Sequence, residues 1–126
     1  MKNVLNIQID IFRVYVNVFW EVKIEDAIKY LKERNCPITD DDAQALKEVS
    51  TASDGLTSNA GAGNRDIMIW LRKKPVTIKE YGVLYHEIYH ATYRIAKDMS
   101  ASSEEELQCY LYEHIVMKCL NHLKAK

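Results

Sequence analysis

Three features of the sequence predict an α+β fold with a small sheet of about three strands. Residues 5 to 20 and 66 to 72 alternate with the period of strands, and residues 24 to 33, 77 to 98 and 103 to 123 repeat with the period of helices. The length of 126 residues limits the chain to one hydrophobic core, so 1–126 reads as a single domain.

Along the first stretch Leu5, Ile7, Ile9 and Ile11 share one face, after which Val14, Val16, Val18 and Trp20 take the opposite parity. The slip between Ile11 and Val14 fits a β-bulge or the boundary between a lead-in strand and a main strand. No Gly, Pro or Asn-Gly pair offers a tight turn there, which favours a main strand at 12 to 20.

Ile24, Ala27, Ile28 and Leu31 form a helical stripe that ends before Cys36-Pro37. Thr39 and the run Asp40-Asp41-Asp42 open a short helix through Val49, with Ala45, Leu46 and Val49 expected to face inward. Thr77 and Glu80 have capping-box spacing at the head of the longest helical pattern, whose inward stripe is Leu84, Ile88, Ala91 and Ile95. Ser102 and Glu105 offer the same box to the last helix, which is expected to bury Leu107, Leu111, Ile115 and Leu120.

Residues 50 to 65 hold three of the four glycines and few bulky apolar side chains, so they read as an extended loop. Gly61 and Gly63 lack the preceding strand and the Gly-Lys-Ser/Thr of a phosphate loop. In 66 to 72, Ile67, Ile69 and Leu71 alternate with Met68, Trp70 and Arg72, and a free edge on this strand would pair with an extended peptide.

A formal charge of -1 offers no field for a phosphate backbone or an anionic bilayer, so neither nucleic acid nor membrane is expected as a partner. Cys36, Cys109 and Cys119 are odd in number and form no CxxC, which points to reduced thiols. Polar residues interrupt the apolar N-terminus, so it reads as neither a signal peptide nor a membrane span, and a cytoplasmic protein is expected.

The chemistry is concentrated in YHEIYH, where His86, Glu87 and His90 form HExxH inside the longest helix. The i,i+4 spacing sets both imidazoles on one face, where their nitrogens suit two corners of a zinc tetrahedron, and Glu87 is placed to reach a metal-bound water. A metal-free alternative leaves both histidines as ordinary half-buried residues. A third ligand must come from elsewhere. If Glu105 is engaged in the Ser102 cap, Glu106 is free to turn inward, on a face shared with Tyr110, Glu113 and Met117. Glu104 and Glu105 suit the helix dipole better, and Asp98, Glu113, His114 and His122 are weaker candidates.

The HEIYH helix followed by SSEEELQCYLYEHI resembles small zinc-dependent peptidases of the gluzincin type, in particular the compact phage and bacterial proteins called minimal zincins. In those families a Glu on the following helix is the third ligand, often in a Glu-x-x-Ala-Tyr setting, which Glu106 and Tyr110 match with Cys109 in place of alanine. The resemblance covers residues 66 to 120 and implies a mixed sheet, an edge strand at 66 to 72, and metallopeptidase activity on peptide or protein substrates.

On that reading His86, His90 and Glu106 hold Zn2+, a water takes the open position, and Glu87 removes its proton. Tyr110, with Tyr93 and Tyr112 as alternatives, would donate to the oxyanion. The rival reading keeps the zinc as a brace in a non-catalytic, phage-encoded interaction or regulatory protein.

Overall fold

The computed structural model describes residues 1–61, 63–101 and 103–124. Among these, four α-helices and a four-stranded mixed sheet make an α+β fold. The strands are β1 (Val4–Ile9), β2 (Val14–Trp20), β3 (Gly55–Asn59) and β4 (Ile67–Leu71), and the helices are α1 (Ile24–Glu33), α2 (Asp40–Ser50), α3 (Ile78–Asp98) and α4 (Glu105–Leu123). The sheet order is β1-β2-β4-β3, with β2 and β4 parallel and the two outer pairs antiparallel.

The parity slip near residue 12 is a chain reversal, and neither the bulge nor a long strand at 12 to 20 is present. A 3-10 turn at Asp10–Phe12 joins β1 to β2, and Arg13 closes it in the left-handed region at φ 54°, a conformation the side chain tolerates at some cost. Ile11 lies in this turn and is exposed. The register pairs Ile7 with Val16 and Ile9 with Val14, so odd residues of β1 and even residues of β2 share one face.

That face packs beneath α3 and α4. Ile7, Val16, Val18, Ile67 and Ile69 meet Leu84, Ile88 and Ile95 of α3 and Leu111 and Ile115 of α4 in one buried cluster. The opposite face carries Phe19, Met68, Trp70 and Leu56, covered by Ala27, Ile28 and Leu31 of α1 and Ala43 of α2. Alternation along β4 therefore divides its side chains between two cores.

Local signals account for four of the eight α-helix ends. Thr39 accepts from the Asp42 N–H and Thr77 from the Glu80 N–H, each within a complete capping box. Asn35 ends α1 at φ 68°, with the Cys36 N–H donating to the Leu31 carbonyl and the Asn35 N–H to that of Lys32. Ser100 ends α3 in the same way at φ 56°. These are Schellman closures made without glycine.

Two helical faces differ from expectation. In α2 the buried residues are Ala43 and Ser50, while Val49 is 54% exposed. In α4 the buried stripe is Leu111, Ile115, Cys119 and Leu123, a spacing of four that leaves Leu107 and Leu120 at its margins. The expected cap residue Ser102 lies outside the described residues; Glu104 is the N-cap of α4 and makes no side-chain cap bond. No helix among the described residues is long and apolar enough to cross a membrane.

The sheet also has one strand more than expected. β3 lies in the stretch read as a loop, and it displaces β4 from the edge: Ile67–Leu71 is flanked by β2 on one side and β3 on the other. The strand at 66 to 72 is therefore central, and β3 is the outer strand beside α3.

Candidate functional site

The HExxH residues lie in the middle of α3. Its core stripe, Leu84, Ile88, Ala91 and Ile95, faces the sheet, which turns His86 and His90 to solvent and Glu87 towards β3. The Nε2 atoms of His86 and His90 are 3.1 Å apart, and the rings meet edge to face at 81°. At that distance one ring can donate an N–H to the lone pair of the other, the roles depending on the tautomers.

Glu87 is only 7% exposed. Its Oε1 is 2.6 Å from the Thr57 hydroxyl, which also lies 3.0 Å from the Glu87 carbonyl oxygen. The single hydroxyl proton thus ties the middle of β3 to α3. Gly55 allows the close approach: a Cβ there would come within 2.9 Å of Val83 Cγ1 and 3.2 Å of Glu87 Cγ. Farther along, Arg94 Nη1 donates to Asn59 Oδ1 at 2.8 Å. Helix and strand run side by side in the same sense, with Val83, Glu87 and Arg94 answering Gly55, Thr57 and Asn59 in order.

The zinc centre expected at His86, His90 and Glu106 is not formed. Among the described residues no group of three His, Cys, Asp or Glu side chains comes together to hold a metal ion. Zinc requires four donors, or three and a water, and the histidine pair supplies two. The reason lies in α4. Glu106 does share a face with Tyr110, Glu113 and Met117, but that face lies opposite the buried stripe, with Tyr110 51% and Met117 53% exposed. Glu106 is therefore turned to solvent in the first turn of α4.

With the donor set go the assignments built on it: a bound Zn2+, metallopeptidase or amide-hydrolase activity, the zinc-braced regulatory alternative, and the minimal-zincin fold. Tyr110 lies on that same exposed face of α4, with its ring stacked on His114 at a centroid distance of 6.1 Å. Tyr112 lies on the packed side of α4, where burial and then the neighbouring Tyr85 raise its phenol above the ordinary range.

The functional element that sequence reasoning missed is β3. Arg72 N–H donates to the Asp54 carbonyl at 2.9 Å and Ala60 N–H to that of Asp66 at 2.8 Å, so even-numbered residues carry the ladder to β4. Gly55, Thr57 and Asn59 consequently turn their main-chain groups away from β4, towards the sheet edge. Clefts flank that edge on both sides. One of about 460 Å³ is lined by Gly55, Lys79, Val83 and His86, and one of about 370 Å³ by Leu46, Val49, Leu56, Thr57 and Arg94. The available signal was the Thr57-Ser58-Asn59 run beside Leu56, too polar to register as a strand.

No family model, curated protein or solved structure matches the chain.

Proposed function

We propose that this chain is a peptide-binding module that takes an extended polypeptide segment onto the outer edge of β3. The observation that carries the reading is the outward orientation of the Gly55 and Thr57 main chain on a terminal strand with a cleft on either side. Alternating N–H and C=O groups along an edge are complemented by the backbone of another strand, and side-chain pockets on either side supply selectivity. In this reading His86 forms part of the cleft wall beside the bound segment, and His90 stands one helical turn further along α3. Glu87 is a positioning residue that holds β3 through Thr57.

The three free thiols, Cys36, Cys109 and Cys119, support a reducing compartment, the cytoplasm, as the setting.

The test pairs two substitutions at one position. Thr57→Pro removes the outward N–H while leaving the even-numbered ladder to β4 intact; Thr57→Ala removes the hydroxyl and the γ-methyl but keeps the N–H. Peptides selected on the wild-type protein from a displayed random library should slow amide exchange at Gly55 and Thr57. They should bind Thr57→Ala and fail on Thr57→Pro. Protection confined to another surface, or equal binding by both variants, would sink the reading.

A further inference from the structure

The two sides of the β3 edge differ in chemistry, and a strand placed there would present alternate side chains to each. On the α3 side stand Lys79, His86, His90 and Arg94, spaced by seven, four and four residues, which keeps them on one flank of the helix. Lys79 and His86 border the cleft beside Gly55, and Arg94 reaches Asn59 at the other end of the strand. On the α2 side the cleft is lined by the aliphatic Leu46, Val49 and Leu56 together with Asp42 and Ser58, and Arg94 reaches it from α3.

The spacings also agree. From Val83 to Arg94 the helix rises about 16 Å, and from Gly55 to Asn59 the strand covers about 13 Å, so the flank runs the length of the edge. Alternate residues of an added strand recur every ~6.7 Å, close to the ~6 Å between His86, His90 and Arg94. Of the carboxylates nearby, Glu87 is buried against Thr57, Asp54 lines the first cleft with Lys79, and Asp42 lines the second from its α2 wall.

We infer that the segment taken up by β3 is amphipathic in the strand sense, with acidic side chains towards α3 alternating with aliphatic side chains towards α2. This rests on strand addition at β3 and specifies the class of partner: a polypeptide stretch of alternating Asp or Glu and Val, Ile or Leu. The acidic positions would accept from Arg94, from Lys79 and from imidazole N–H groups. The aliphatic positions would cover Val49 and Leu46, which the fold leaves partly open.

The experiment compares short end-capped peptides alternating Glu with Val or Lys with Val, each kept below the concentration at which it self-associates. Affinity is read by titration and position by amide exchange at Thr57. The Glu peptide should bind about tenfold more tightly than the Lys peptide, with the gap narrowing at high salt. Arg94→Glu and Lys79→Glu should each reduce the gap, the second serving as a check because Arg94 also holds Asn59. Equal affinities with Thr57 protected would overturn the alternation rule and leave strand addition standing, as would preference for the Lys peptide. If neither peptide protects Thr57, both readings fall.

Discussion

Thr57 Oγ1 lies 2.6 Å from Oε1 of Glu87, a hydrogen bond that joins the outermost strand to a helix residue thirty positions away. It is a polar clasp between β3 and α3, set between the packing of Val83 over Gly55 and the bond from Arg94 to Asn59. A double-mutant cycle of Thr57→Val and Glu87→Met, each of which removes one partner of the bond, should give a coupling of about 1–2 kcal/mol in denaturant unfolding. Strict additivity would mean that the two side chains act independently.

Gly55 is needed for its size. An added Cβ meets Val83, Glu87 and Leu71 side chains at 2.9, 3.2 and 3.3 Å, so Gly55→Ala should cost about 1 kcal/mol and Gly55→Val about 3 kcal/mol. Thermal midpoints of the two variants check this, with wild-type stability for Gly55→Val as the contrary outcome.

The α3 cap makes stability depend on acid. Main-chain N–H donation first from Thr77 and then from Val76 holds the Glu80 carboxyl below its ordinary range. A carboxyl depressed in the folded state adds stability above its unfolded pKa and loses it as pH falls through the folded value. The margin of the wild type over Glu80→Gln should therefore be full at neutral pH and shrink below about pH 4. A margin that is constant with pH would show that the charge plays no part.

Cysteine reactivity should separate by burial. Cys109 is exposed, whereas Cys36 and Cys119 are buried; desolvation raises the Cys36 thiol and pushes that of Cys119 up to about 12. Alkylation of the native protein near neutral pH should label Cys109 rapidly and reach the other two only on unfolding. Early labelling of Cys119 would contradict the packing of α4.

Thr92 is buried in α3, and its hydroxyl has no hydrogen-bond partner among the described residues. Replacing it by the isosteric valine removes an unsatisfied oxygen without opening a cavity, so Thr92→Val should hold or raise stability by about 1 kcal/mol. A clear loss in chemical denaturation would reveal a partner for that hydroxyl.

Much of the local structure was legible because it is encoded by neighbours in the chain. The helix at 24 to 33 and the inward stripe of α3 follow from apolar spacing, and the caps at Thr39 and Thr77 from side chains that reach their own helix ends. The hairpin was missed because Arg13 adopts a left-handed conformation that composition does not announce. β3 was missed because much of its stabilisation comes from the ladder to β4 rather than from a hydrophobic alternation of its own.

By itself the sequence determined that His86 and His90 share one face of a helix, one turn apart, since helical periodicity requires it. It also determined that Glu106 shares a face with Tyr110 and Met117. Which way that second face turns was decided only by tertiary packing. Leu111, Ile115, Cys119 and Leu123 bury more apolar surface than the alternative stripe, so α4 rolls Glu106 out to solvent and leaves the histidines without a third ligand. Strand order was likewise a tertiary outcome. Pairing β3 outside β4 covers β4 on both sides and sets a polar edge beside the helix that carries the histidines.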